Sequence, residues 1–155
     1  MRRHYDSYYD RNRFYMTDEL KHRLNTAFAA FRAVGLVARQ NFSCCGGCAG
    51  YELATHVGEK VKKDERNRSK IKGVVSYNRQ DTERLNESGS VWLSYGQVDS
   101  TEVGPVGLPT VQVGRMIVEV LEALSIPYEW DGDGDTRIKV CLHLYGKPMS
   151  LACVG

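Results

Sequence analysis

Apolar residues recur at helical spacing in three segments of the chain. Residues 17–34 place them three and four positions apart and begin with Thr17, which can cap a helix. Residues 110–125 show the most regular stripe and stop before Pro127. Residues 49–63 carry a thinner stripe, which predicts a half-exposed helix. The pattern therefore predicts three helices.

Shorter runs rich in β-branched and aromatic residues predict strands over residues 36–43, 73–77 and 91–95. A polar stretch separates the second run from the third, which predicts a hairpin with a long loop. Residues 99–110 contain two glycines and two prolines and are predicted to form a connector.

The C-terminal region predicts a second hairpin, with strands over residues 128–130 and 137–145. D-G-D-G-D between them is a strong turn signal. Its carboxylates have the spacing of a calcium loop, but the glycine and the bidentate glutamate of such loops are missing. A plain turn is favoured, with weak calcium binding as the alternative. Alternation in the last strand places Cys141 and His143 on the side that faces away from the helices.

The element order α-β-α-β-β-α-β-β predicts an α+β fold with a mixed sheet of four to five strands and about three helices on one face. Its inner part, β-α-β-β-α-β, is compatible with a ferredoxin-like core. Residues 17–155 are predicted to form a single domain. Residues 1–16, rich in Tyr and Arg, are predicted to be an N-terminal tail, either an ordinary chain terminus or an arm that contacts a partner.

Composition and charge narrow the class of protein. The chain has 155 residues and a formal net charge of +2, which is too small to indicate nucleic-acid binding by itself. The basic run at residues 60–72 is interpreted as solvated surface, with an anion or nucleic-acid patch as the alternative. There is no run of about 20 apolar residues and no apolar signal-peptide region, so we predict a cytoplasmic protein without membrane contacts.

Three of the five cysteines lie where the first predicted strand gives way to a helix. The C-G-G-C segment has three interpretations, and the sequence leaves them open. Cysteine can act as a small hydrophobic residue in a crowded corner. A redox dithiol would use the helix N-terminus to lower a thiol pKa. A zinc site would need about four thiolate or imidazole ligands, and its second half would come either from Cys141 and His143 or from Cys44 and His56.

The metal-site prediction comprises Cys44, Cys45, Cys48, Cys141 and His143.

Several segments together resemble a family of uncharacterised bacterial proteins described only as a domain of unknown function. They are N-F-S-C-C-G-G-C (41–48), V-S-Y-N-R-Q-D-T (75–82), V-W-L-S-Y-G (91–96), V-G-R-M-I-V (113–118) and Y-E-W-D-G (128–132) followed by R-I-K-V (137–140). The family pattern contains N-F-x-C-C-x-x-C, Y-x-x-Q-D and a late W-D-G, and the likeness covers about residues 17–147. The resemblance implies a bacterial, cytosolic, single-domain protein and brings no activity or site with it.

Two functions from different classes fit these observations. The first is a non-catalytic binding or accessory domain with a protein partner and a cysteine-rich structural corner that can hold zinc. The alternative is a thiol-redox or metal-dependent enzyme or sensor that uses Cys45 and Cys48. The sequence contains no Gly-rich phosphate loop, G-x-S-x-G or H-E-x-x-H, which favours the first function without excluding the second. Nucleic acid is the less supported partner.

Overall fold

A computed structural model of the protein describes residues 18–144, which form a mixed sheet with helices on both of its faces. None of its helices combines the length and the apolar character needed to cross a membrane. The helices are α1 (Asp18–Ala33), α2 (Gly46–Lys63), α3 (Asn67–Lys70), α4 (Arg79–Ser88) and α5 (Thr110–Ala123).

Within residues 18–144, seven strands form two sheets. The main sheet has the order β1-β2-β3-β7-β6, in which β1 and β2 are parallel and the other neighbours are antiparallel. The strands β4 and β5 form a separate antiparallel pair, and a 3₁₀ turn, Leu142–Leu144, follows β7. The strands are β1 (Leu36–Arg39), β2 (Gly73–Ser76), β3 (Ser90–Gly96), β4 (Val98–Ser100), β5 (Gly104–Val106), β6 (Tyr128–Glu129) and β7 (Ile138–Cys141).

The larger core lies on one face of the main sheet, under α1, α4 and α5. Phe28, Leu85 and Ile117 come from these three helices and are buried against Ala38 and Val75 of the sheet. The helical stripes predicted for residues 17–34 and 110–125 face this core, because residues three and four apart lie on one side of a helix.

The smaller core lies on the opposite face, under α2 and the β4–β5 pair. Leu53 and Val57 of α2 pack with Val37 of β1 and with Val98 and Val106 of the small sheet. Because successive side chains of a strand point to opposite faces, Val37 and its neighbour Ala38 belong to different cores. The predicted helix 49–63 therefore exists but lies on the other face from the other two predicted helices.

The α+β class and the five-stranded mixed sheet are confirmed. The strands β2 and β3 pair antiparallel as predicted, but a helix, α4, connects them where a long loop was expected. The predicted connector 99–110 contains part of the small sheet. In a ferredoxin-like arrangement a further strand would separate the two parallel strands, whereas β1 and β2 are direct neighbours here.

The predicted C-terminal hairpin is confirmed, since β6 and β7 pair antiparallel on either side of the acidic turn. The predicted tail at residues 1–16 and the end of the last predicted strand at Tyr145 lie outside the described residues.

Candidate thiol site

The three clustered cysteines lie at the junction of β1 and α2, as the sequence predicts, with Cys44 and Cys45 before the helix and Cys48 in its first turn. The strand ends at Arg39 and the helix begins at Gly46, with Cys45 as its N-cap residue in an extended conformation. Two residues in between, Asn41 and Ser43, have left-handed backbones with φ of 49° and 67°. Such angles are uncommon in residues other than glycine, so the loop must be held in place by its surroundings.

Contacts with the end of β2 and the start of α4 hold this loop. The N–H of Phe42 donates to the carbonyl of Tyr77 at 2.8 Å, and the N–H of Arg79 donates to the carbonyl of Ser43 at 3.2 Å. The hydroxyl of Thr82 donates to the side-chain oxygen of Asn41 at 2.8 Å. The thiol loop, residues 40–45, is therefore anchored to residues about 35 positions further along the chain.

The loop brings three sulfur atoms together. Cys44 Sγ lies 3.5 Å from Cys48 Sγ and 3.9 Å from Cys45 Sγ, and all three sulfurs are within 4.8 Å of one another. Cys44 and Cys48 are exposed and Cys45 is half-buried. Three thiols at this separation can converge on one metal ion, since zinc–sulfur bonds are about 2.3 Å long.

The start of α2 favours negative charge on Cys45. The N–H of Cys48 is the main cause of a lowered Cys45 pKa, and the thiols of Cys48 and Cys44 and the N–H of Gly47 act in the same direction. These N–H groups are among the four that a helix N-terminus leaves without an intrahelical partner. Cys45 therefore forms a thiolate more readily than an ordinary cysteine does.

The same geometry works against a second thiolate. The pKa of Cys48 is raised to about 11, first by the hydrogen bonds that its thiol shares with Cys44 and Cys45 and then because charge on those neighbours repels a further negative charge. A cation placed between the sulfurs would remove this repulsion, because each thiolate would then face a positive centre.

Cys141 and His143 do not join the cluster. Cys141 is fully buried on β7, and His143 lies in the turn after it with Nδ1 3.4 Å from the hydroxyl of Ser90. The strand order places β7 three positions from β1, a lateral separation of about 14 Å. In residues 18–144 the sulfurs of Cys44, Cys45 and Cys48 are the metal-ligating set that the fold assembles. A role of Cys141 and His143 as metal ligands stays a prediction.

His56 is engaged elsewhere on α2. Its Nε2 lies 3.3 Å from a guanidinium nitrogen of Arg39. Partial burial, followed by the charges of Arg39 and Lys60, lowers the pKa of His56. The imidazole therefore faces basic neighbours and not the thiols.

Two other predicted features have ordinary structural contacts. In the acidic turn the Asp131 carboxylate accepts the hydroxyl of Thr136 and the N–H of Asp133, which lowers the pKa of Asp131. In the basic run, Arg66 and Arg68 pair with acidic neighbours of the same run, and Lys62 pairs with Glu102. These pairs are exposed and fit the interpretation as solvated surface.

The contact between the thiol loop and the segment at Tyr77 to Thr82 is not predicted by the sequence. Both segments carry the family resemblance, but no periodic pattern indicates that two loops will meet. The sequence contained one signal for this contact, since each segment follows a predicted strand. Those two strands are parallel neighbours in the sheet.

The chain belongs to the family described as Domain of unknown function (DUF6891), whose model matches residues 3–144. The match begins at residue 3, so the Tyr-rich head that the resemblance had left outside is part of it. No curated protein and no solved structure matches the chain.

Proposed function

We propose that this protein is a non-catalytic domain that binds one soft metal ion of the zinc class through Cys44, Cys45 and Cys48. The observation that carries the proposal is the convergence of three sulfurs within 4.8 Å of one another. Thiolates are preferred ligands of zinc and of other soft transition metals.

The electrostatics of the free thiols support the same conclusion. Cys45 ionises readily because N–H groups point at its sulfur, whereas the negative charge of its neighbours raises the pKa of Cys48. A divalent cation would stabilise all three thiolates, with release of their protons. Metal affinity should therefore rise with pH as long as protons compete for the sulfurs.

The three sulfur ligands do not connect distant parts of the fold. All three sulfurs come from residues 44–48, so a bound ion would close only a short loop between β1 and α2. Two hydrophobic cores already hold the sheet and its helices together. The proposal therefore differs from a structural zinc corner, because the ion would order the loop and would be exposed to solution.

The first test is the metal content of the full chain, purified under reducing conditions and loaded with zinc. We expect one zinc per chain. Cys44→Ser, Cys45→Ser and Cys48→Ser should each lower zinc affinity by more than about tenfold, because loss of even an outer-shell partner of a ligand costs that much. Competition with a chromophoric chelator measures these affinities.

The matched controls are His143→Gln and His56→Gln, which remove imidazoles outside the cluster. Both variants should bind zinc as the wild type does. If reduced protein binds no zinc, the proposal is wrong. If His143→Gln weakens binding as much as a cysteine substitution, the ligand set predicted from the sequence is correct instead.

The lowered pKa of Cys45 favours a second candidate function, thiol-redox chemistry. A thiolate at a helix N-terminus is the usual attacking group of a dithiol, and Cys44 and Cys48 are both within reach as its partner. Metal-free protein with a thiol that exchanges rapidly with a small disulfide at neutral pH would favour this function over metal binding.

A further inference from the structure

The thiol cluster lies at a point of the fold where ligands commonly bind. The strands β1 and β2 are parallel neighbours, and the helices that follow them, α2 and α4, pack on opposite faces of the sheet. In open α/β sheets this change of direction leaves a crevice outside the carboxyl ends of the two strands. The N-termini of α2 and α4 adjoin there, since a Cβ on Gly46 would lie 3.9 Å from Asn78 Nδ2.

The outward side of the cluster is open. Cys44 and Cys48 are exposed, and a Cβ added at Gly47 or Gly50 would meet no atom within 4 Å. Among the described residues, the first turns of α2 are therefore uncovered at these glycines, and the exposed sulfurs of Cys44 and Cys48 are accessible from solution.

The cluster also leaves the coordination of a metal incomplete. Zinc in proteins is bound by four ligands in a tetrahedron. In the described range, residues 18–144, the assembled set has three, all of them thiolates. A metal held by these three sulfurs alone would have room for one further ligand, in a fourth position.

We propose that this fourth position takes the thiolate of a low-molecular-mass thiol from solution. The inference rests on the proposed metal binding. A soft metal with three sulfur ligands favours a fourth soft donor, and the positive end of α2 favours a negatively charged one. On binding, the thiol transfers its proton to the buffer, a metal–sulfur bond forms, and a metal-bound water leaves.

The test uses the full reduced chain loaded with Co(II), a spectroscopic substitute for zinc, in the absence of oxygen. Titration with 2-mercaptoethanol should raise the sulfur-to-cobalt charge-transfer absorbance in a saturable way. The expected increase is about one third, since three Co–S bonds become four. Ethylene glycol, which carries a hydroxyl in place of the thiol, is the matched control and should leave the spectrum unchanged.

X-ray absorption then counts sulfur ligands before and after the addition. Three sulfurs becoming four, with cobalt retained after gel filtration, supports the inference. A spectrum that does not respond to the thiol, or cobalt that is stripped from the protein, overturns it and leaves the metal site itself standing. Failure of the protein to bind Co(II) at all overturns the proposed function instead, so the two failures are distinguishable.

Discussion

Cys45 and Cys48 are three residues apart and yet their pKa values shift in opposite directions, because Cys45 is the N-cap of α2 whereas Cys48 faces the thiols of Cys44 and Cys45. Residue type and spacing indicated that thiols would gather at this bend. They did not indicate which thiol would ionise first, since that depends on where the N–H groups of the helix point.

Alkylation of metal-free, reduced protein should reveal this difference. The thiolate is the reactive form, so a lowered pKa means that Cys45 reacts faster than an ordinary thiol at neutral pH. The rate for Cys48 should keep rising toward pH 11, the region of its raised pKa of about 11. Iodoacetamide labelling followed by mass spectrometry of the peptides, as a function of pH, measures both profiles.

Cys45→Ser provides the control, because it removes one source of repulsion on Cys48. The labelling profile of Cys48 should then move to lower pH. If both cysteines instead show the same midpoint in the wild type, the helix N-terminus has no effect on this site.

At the scale of elements, the sequence predicted helices with a regular apolar stripe and missed α4. That helix has one apolar side chain in the larger core, Leu85, so no amphipathic pattern marks it. Its ends are fixed by a capping box between Asn78 and Asp81 and by Gly89 in a left-handed conformation with φ of 77°. The N-x-x-D pattern and the glycine were the available signals.

The segments that carry the family resemblance meet around α4 and α5. Asp81 is 1% exposed at its side chain and forms an ion pair with Arg137 at 2.6 Å, and Arg137 also donates to the carbonyl of Trp92. The indole N–H of Trp130 donates to the hydroxyl of Tyr95 at 2.8 Å. Residues from motifs that are far apart in the chain are therefore direct partners in the fold, joined by charge-assisted and ordinary hydrogen bonds.

Two glycines inside helices should respond in opposite ways to the same substitution. A Cβ at Gly114 would lie 2.7 Å from the Trp130 ring and 2.9 Å from the Tyr95 ring, whereas a Cβ at Gly50 would meet no atom within 4 Å. Gly114→Ala should lower the free energy of unfolding by about 1–3 kcal/mol through overpacking. Gly50→Ala should raise it by about 0.5–1 kcal/mol, because alanine is the better helix former.

Urea unfolding of the metal-free protein, followed by circular dichroism, measures both changes. A destabilising Gly50→Ala would show that the space beside the thiols is filled in solution. A neutral Gly114→Ala would show that the two aromatic rings can move aside.

At the scale of the whole molecule, the sequence predicted the class and the number of strands in the main sheet but not the small sheet or the two-sided arrangement. The apolar stripe of α2 is compatible with packing on either face of the sheet. In β1, Val37 packs in the smaller core and Ala38 in the larger one, so the strand does not decide the face either. Which face a helix covers follows from the path of the chain between parallel strands, and no residue pattern encodes that path locally.

Removal of the metal should leave this architecture intact. Both cores are made of apolar side chains, and all three sulfurs come from residues 44–48, so an unfolded chain keeps the same ligands near one another. Binding to the unfolded state reduces the stabilisation that a ligand provides. Chelation should therefore leave the circular dichroism spectrum unchanged and shift the melting temperature less than the zinc affinity of the folded chain alone implies.

A calorimetric scan with and without chelator measures that shift. Unfolding on chelation, as seen in small domains that fold around zinc, would contradict the prediction. The control is Cys44→Ser with Cys48→Ser, whose melting temperature should not depend on the chelator.

The three sulfurs of the candidate site all come from one pentapeptide, residues 44–48, and this has a consequence for how the site is inherited. One short exchange in the gene can insert or erase it, while the anchoring loop contacts at Phe42 and Arg79 use backbone atoms that any sequence supplies. Proteins that share this fold can therefore keep, lose or replace the three thiols while the sheet and its helices stay the same.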